Sequence, residues 1–348
     1  MNLRYEDEYL MIRRLIYWLL VAAFIWLVAS RIGEISDFSH ILAQGHFQWV
    51  LVAVALQLFH YFVASVSYRS AFTTVGVQSR VRDLFPLVFG SMFVNVVAPA
   101  GGASGAALFV DHAARNGQST ARTAAGVLLQ LITSLVAFVV VLTAGLAYLG
   151  VHHKLESFQV VAAFILILAI LIMAGALLLA MKRPVLLRRV LSGLQVLVNS
   201  VAGRIKKVSL LSDEWIEQHV SDFIEAGAAM AARPSGLAMT LGILLFAHIV
   251  SISVLYTLFL AFSQAIPIGS LVAGYAIGIL FLIVSVTPQG VGIVEGVMPL
   301  AFGSLGVPNG IATLTVLAFR GLTFWLPLVL GFLLLRRMKI FHLEKAAD

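Results

Sequence analysis

Residues 271–305 read LVAGYAIGILFLIVSVTPQGVGIVEGVMPLAFGSL. They are apolar enough for a membrane interior, yet Pro288-Gln-Gly290-Val-Gly292 interrupts them at the middle. Proline removes a backbone donor and ends a helix before it. Glycine then permits a tight reversal. Each piece is about 15 residues, short of the ~20 that a helix needs to span a bilayer. The stretch therefore reads as two half-helices joined by a turn at membrane depth. Irregular backbone is tolerated there only where protein or a watery cavity surrounds it.

The same design occurs earlier. Residues 84–116 are apolar and broken at Pro99-Ala-Gly101-Gly102. Pro99 has Gly101 at +2 and Gly117 at +18; Pro288 has Gly290 at +2 and Gly306 at +18. A long uncharged helix follows each. The offset is 189 residues, and the shared layout argues for an internal repeat. Residues 84–150 form its first half and 271–335 its second.

Around these segments lie six continuous apolar stretches: Leu15–Ser30, Phe47–Tyr68, Thr123–Gly150, Ser157–Met181, Leu237–Phe262 and Gly310–Leu335. A cleaved signal peptide is the competing reading of the first, but the following blocks look like one continuous bundle. Of 348 residues 61% are hydrophobic and 11% charged, and mean hydropathy is +1.00. Soluble domains carry roughly a quarter charged residues, so the expected fold is a single all-α polytopic membrane domain over residues 1–348. It has about six transmembrane helices plus two re-entrant helical hairpins. Zero cysteines excludes disulfides, thiolate metal sites and a cysteine nucleophile.

The net charge of +7 is distributed by topology. With six crossings and each broken segment returning to its own side, residues 1–14, 69–83, 111–122, 182–233 and 336–348 share one side. They hold 20 of the 23 Lys and Arg. The positive-inside rule puts that side, and both termini, in the cytoplasm. The first hairpin then enters from the cytoplasm and the second from outside, an inverted repeat of the kind that secondary transporters build around a midplane substrate site. The cations flank apolar segments, a pattern for anionic lipid headgroups and not for nucleic acid. Residues 182–233, with apolar residues at helical spacing among cations, read as a cytoplasmic amphipathic linker.

Between Pro234 and Leu335 the formal charges are Glu295 and Arg320. Charge at membrane depth marks a functional site by default. Glu295 stands early in the second half-helix, where the macrodipole favours an acid. It can hold a cationic headgroup, accept a proton or pair with Arg320. Arg320 can bind a lipid phosphate bidentately. If the two pair, they lock the half-helix to the last span. Pro99, Gly101, Gly102, Pro288, Gly290 and Gly292 can present backbone amides to a phosphate, as broken helices do in transporters; equally, they let the chain turn. Asn95 can bind substrate or tie two helices. Asp111 and Arg115 stand where the first hairpin returns to the cytoplasm, suited to headgroup capture or to a solvated helix end. His60 and His248 read as interhelical hydrogen-bond partners.

Enzyme chemistry finds little support. No spacing such as HExxH, no Walker-type loop and no nucleophile elbow occurs. No metal and no cofactor is expected.

The run Asn95-Val-Val-Ala-Pro99-Ala-Gly-Gly102-Ala-Ser-Gly105 resembles the first motif of the flippase-like membrane family, which includes the transmembrane region of lysylphosphatidylglycerol synthases. Pro288-Gln-Gly290-Val-Gly292-Ile-Val-Glu295-Gly296 resembles the second. Gly306-Val-Pro308 and Phe319-Arg320-Gly321-Leu-Thr-Phe-Trp325-Leu-Pro327 extend the likeness. The resemblance implies a multi-pass inner-membrane protein that moves a phospholipid or lipid-linked headgroup between leaflets. Its partners are membrane lipids, and a homo-oligomer is left open. In those synthases a soluble catalytic domain follows the membrane region; none is expected after residue 348 here, so aminoacyl transfer is not implied. This chain also departs from the pattern: where many relatives carry an acid and a base after the first motif, it reads Ser104-Gly105-Ala106-Ala107. Two other functions stay open on the sequence alone, a membrane-embedded transferase on lipid-linked sugars and a noncatalytic partner in a lipid-synthesis complex.

Overall fold

The computed structural model describes residues 46–98, 103–152, 232–285 and 287–337, with a few further positions between 160 and 189. Every regular element among them is helical. The order is α1 (Phe47–Thr74), α2 (Val81–Val97), α3 (Ala103–Arg115), α4 (Thr120–Val151), α5 (Pro234–Ala261), α6 (Ile268–Val284), a 3-10 turn (Pro288–Gly290), α7 (Val294–Ser304) and α8 (Asn309–Arg320). A π-helical turn (Gly321–Trp325) then leads into α9 (Leu326–Arg337). Four helices are long and apolar enough to cross a bilayer: α1, α4, α5 and the run Asn309–Leu335. They match four of the six expected spans. Leu15–Ser30, most of Ser157–Met181 and most of the linker 182–233 lie outside the described residues, as do Pro99, Gly101 and Gly102.

Both broken segments are folded back on themselves. A Cβ on Gly105 would meet Asn95, and one on Gly90 would meet Leu108 at 3.3 Å, so α2 and α3 lie side by side and antiparallel. Likewise, a Cβ on Gly278 would meet Met298 at 2.6 Å, and Gly274 packs under Phe302. A continuous kinked helix would hold these pairs far apart at 1.5 Å per residue.

The halves repeat in detail. α1 and α5 begin 187 residues apart (47 and 234) and each has 28 residues; α2 and α6 begin 187 apart (81 and 268) and each has 17. Helix ends repeat too. Gly76 and Ser263 take positive φ after α1 and α5, and the next amides bond back five residues, Val77 to Phe72 and Gln264 to Phe259. Gly117 and Gly306 do the same after α3 and α7, with Gln118 bonded to Ala113 and Val307 to Phe302. These are matched Schellman caps, for which glycine is favoured because it has no Cβ to oppose positive φ. The repeat thus takes in α1 and α5, beyond the bounds read from sequence. The offset rises from 187 to 189 across the hairpins, so the second carries the longer connection, and the 3-10 turn lies in it.

Contacts between halves are reciprocal. α6 packs on α4, and α2 packs on α9; α1 and α5 pack on each other. The bundle has two unlike ends. Arg233 donates to Thr73 O at 2.9 Å and Gln78 N to Gln118 Oε1 at 3.3 Å, which gathers the ends of α1 and α3 and the starts of α2, α4 and α5. Arg69, Arg80, Arg82, Arg115, Arg122 and Arg233 lie in these segments. At the other end His46 N bonds Ala261 O at 2.8 Å, and Tyr148 Oη lies 3.1 Å from Ser270 Oγ. Residues 46–52, 146–152, 262–270 and 304–310 gather no Lys or Arg there. Since α2 starts from the basic end and α6 from the other, the hairpins enter from opposite ends, as the sequence predicts.

Close helix approach depends on small residues. A Cβ on Gly145 of α4 would lie 2.8 Å from Ala276 Cβ and 3.2 Å from Ala273 Cα of α6. Membrane helices gain most of their association from such packing. Gly145→Val is expected to lower stability by about 1–3 kcal/mol, read as a fall in thermal midpoint in detergent. Gly242→Ala is the control, since nothing lies within 4 Å of a Cβ there; it should leave the midpoint unchanged.

Candidate functional site

The turn of the second hairpin lies against the end of α2. Gln289, in the second turn, shares a small crevice with Met92 and Val96 of α2. Gln289 has φ +54°, unusual for a residue with a Cβ. The neighbours that hold it there include the most buried charge of the described residues.

Glu295 is the second residue of α7, in its first turn. Its Oε1 accepts from Arg320 Nε at 2.6 Å, and its Oε2 accepts from Gly292 N at 2.9 Å. Arg320 Nη2 donates to Gln289 O at 2.8 Å. The guanidinium also stands 5.1 Å above the Phe324 ring centroid, on its cation–π face. Arg320 is 3% exposed and the Glu295 side chain 19%. The pair thus closes the turn from both sides: acid on the Gly292 amide, base on the Gln289 carbonyl. Among the described residues Nη1 of Arg320 has no protein acceptor.

Directly after Arg320 the last span loosens into the π turn at Gly321–Trp325. Such turns free a carbonyl from the helical ladder and recur at functional sites. Here Tyr61 Oη donates to Leu322 O at 2.8 Å. The bond ties α1 to the segment carrying the guanidinium.

Arg320 forms part of the wall of a central cavity of about 340 Å³. Both hairpins and α1, α4, α5 and α8 contribute to it. Its polar lining is uncharged apart from Arg320, with Gln57, Asn95, Gln130, Ser134 and His248 among the contributors. Glu295 does not line it. A second cleft of about 570 Å³ opens at the basic end, with Arg80, Arg82 and His112 above a floor of Phe72, Leu84, Leu87 and Phe109.

Asn95 ties its hairpin and also lines the cavity: its Oδ1 accepts from Gly105 N at 2.8 Å, so α2 caps the start of α3. Two expectations need correction. The turn amides of Gly290 and Gly292 are not offered to a ligand in this arrangement. They bond Thr287 O at 3.0 Å and Glu295 Oε2, because the turn satisfies its own donors. Pro288 is exposed at the turn and does not reach the cavity wall. Asp111 and Arg115 pair with each other at 2.9 Å, one turn apart on α3 and 42% exposed each. Neither lines the cavity or the cleft. His60 and His248 do what interhelical residues do. His60 Nδ1 lies 3.1 Å from Ala247 O and from Ser251 Oγ, and His248 Nδ1 lies 2.8 Å from Tyr275 Oη.

Gln57, Tyr61, Tyr68, Gln130 and Ser134 escape the sequence reading. A signal exists for α1: 57, 61, 64 and 68 fall on one helical stripe and all face the cavity.

Comparison with known proteins adds the family. Residues 14–331 match the profile of the lysylphosphatidylglycerol synthase transmembrane region. A UPF0104 membrane protein of Methanocaldococcus jannaschii is 22% identical over 322 residues, which covers 90% of this chain and 92% of that protein. With spans long enough to cross a bilayer and a match over nine-tenths of its length, the chain is a multi-pass membrane protein and belongs to the lysylphosphatidylglycerol synthase transmembrane-region family.

Proposed function

We propose that this protein moves a phospholipid, or a lipid-linked headgroup of similar size, between the leaflets of the inner membrane, and does so without covalent chemistry. The observation that carries this reading is the placement of Arg320. A guanidinium with donors unpaired among the described residues stands on a polar cavity, between two inverted hairpins, in a family tied by its name to lipid biology. Inverted hairpins that meet at a central site are the architecture of alternating access. Each hairpin returns to the membrane face it entered from, the basic one cytoplasmic. The phosphate of the headgroup sits on Arg320 while the acyl chains stay in lipid.

The route runs from the cleft at the basic end. Tyr68 lines the cavity, and Phe72 and Phe109 line the cleft. Tyr68 stacks on Phe109 at 4.4 Å, and Phe72 meets Phe109 edge-on at 5.9 Å. These three rings stand between the two volumes and close the route in this conformation.

The test is reconstitution with fluorescent lipids whose outer-leaflet label is quenched chemically. Wild type should expose inner-leaflet label, and a Glu295→Gln, Arg320→Met double variant should behave as protein-free vesicles do. Equal scrambling by both proteins would overturn the reading.

A further inference from the structure

The lining of the cavity goes further than a phosphate site. Among the described residues that line it, Arg320 is the sole formal charge, with no aspartate or glutamate beside it. Glu295 is committed, one oxygen to Arg320 and the other to Gly292 N. An ammonium-bearing headgroup would therefore find no free carboxylate among the described residues of the wall, and would meet a cation already there.

What the lining does offer is neutral hydrogen bonding, and one part of it lacks a partner. Gln57 is 1% exposed, and its Oε1 has no hydrogen bond among the described residues. A buried acceptor left unpaired costs about 1–3 kcal/mol, so this carbonyl favours a ligand that supplies a donor. Across the same cavity stand Gln130 and Ser134 of α4. Their placement also defines how the halves differ. The residue 189 before Arg320 is Leu131, which is 45% exposed on the outer surface, while its neighbour Gln130 faces the cavity. The first half thus presents an amide where the second presents a guanidinium. A volume of about 340 Å³ is at the small end of ligand sites, roughly 300–1,000 Å³. It has room for a phosphate and one small polyol, not for an extended glycan.

We infer that the cavity is a site for a phosphodiester headgroup whose remaining part is uncharged and rich in hydroxyls, such as glycerol or a single sugar or cyclitol. Arg320 takes the phosphate, and Gln57 Oε1 accepts from a hydroxyl. This rests on the cavity being the headgroup site of the transport reading, but it is tested by binding alone.

The measurement is lipid retention and thermal shift of the purified full chain in detergent, with phosphatidylglycerol, phosphatidylinositol and phosphatidylethanolamine of matched acyl chains. The hydroxyl-bearing lipids are expected to hold at least about tenfold more tightly than phosphatidylethanolamine, one such hydrogen bond and one avoided repulsion each being worth that much. Gln57→Leu should shrink the preference for the hydroxyl lipids; because it also removes the side-chain hydrogen bond to Tyr61, its thermal shifts are read against its own lipid-free midpoint. Gln57→Glu, which brings a carboxylate into the cavity, should improve phosphatidylethanolamine retention. Inositol phosphate in solution should compete with phosphatidylinositol. Equal or tighter retention of phosphatidylethanolamine by wild type, no change of preference in either Gln57 variant, or failure of the free headgroup to compete would overturn the assignment. Preference without lipid movement defeats the transport reading and leaves the site; movement without preference does the opposite.

Discussion

Removing Glu295 alone should damage this protein more than removing Glu295 and Arg320 together. In Glu295→Ala the Arg320 guanidinium keeps its bond to Gln289 O but loses its counter-charge in a place 3% exposed. Breaking one side of a buried pair costs about 3–5 kcal/mol, whereas replacing both sides by groups that fit is often close to neutral. The amide of Gly292 would lose its acceptor as well. The double variant Glu295→Gln, Arg320→Met avoids both penalties and leaves as its remaining cost the Gln289 carbonyl without its Arg320 donor. The glutamine still accepts from Gly292 N, and methionine fills the space over Phe324 without a charge. We expect Glu295→Ala to unfold at markedly lower temperature or denaturant than wild type, and the double variant to lose less, about 1–3 kcal/mol for the Gln289 carbonyl. In vesicles both are expected to move no lipid. Full transport by the folded double variant would show that the pair is a clamp on the second hairpin and nothing more. A double variant as unstable as Glu295→Ala would show that the hairpin turn depends on the charges themselves.

The pair could be singled out from sequence because charge in a 102-residue apolar stretch is costly wherever it points. The same physics made the spans legible: hydropathy alone bounds Phe47–Tyr68 against an α1 that ends at Thr74, and Gly310–Leu335 against a span that starts at Asn309. The hairpins were legible because proline and glycine punctuate them. The inversion was legible because arginines at the basic end record the side on which each loop rests. What stayed hidden is neutral. Gln57 and Gln130 carry no charge to make burial conspicuous, and an amide in an apolar helix ties helices as often as it lines a cavity. The π turn at Gly321–Trp325 has no compositional marker. The turn glycines misled for a related reason: sequence gives the freedom of Gly290 and Gly292 but not which acceptor their amides find. Here Thr287 O and Glu295 Oε2 accept from them. Asp111 and Arg115 stood out by charge, yet one turn of helix separates them, and they neutralise each other outside the cavity.

The three rings between cleft and cavity carry the other large expected effect, and the absence of cysteine makes it measurable on the native background. Ser91 lines the cavity and is 6% exposed, and its hydroxyl bonds only its own helix, at Val88 O. Ser91→Cys therefore places one small reporter thiol inside the closed volume with little disturbance. A charged, membrane-impermeant thiol reagent added from the basic end should modify it slowly, since Tyr68, Phe72 and Phe109 stand in the way. Phe109 makes ring contacts with both others, and each is worth about 0.5–1.5 kcal/mol beyond burial, so their loss should speed modification by at least about tenfold. Phe109→Ala also leaves a void worth about 3–5 kcal/mol, which could loosen the whole bundle. Phe109→Leu separates the effects, because it keeps most of the volume and loses the stacking. The expected result is faster labelling of the Ser91→Cys thiol on both Phe109 backgrounds, only when reagent is added at the basic end. Acceleration from both ends would mean general loosening. Unchanged rates in Phe109→Leu and Phe109→Ala would mean that the rings close nothing, and the headgroup must then reach Arg320 sideways, between α2 and the last span, where Met92, Val96, Phe324 and Leu328 line the crevice beside Gln289.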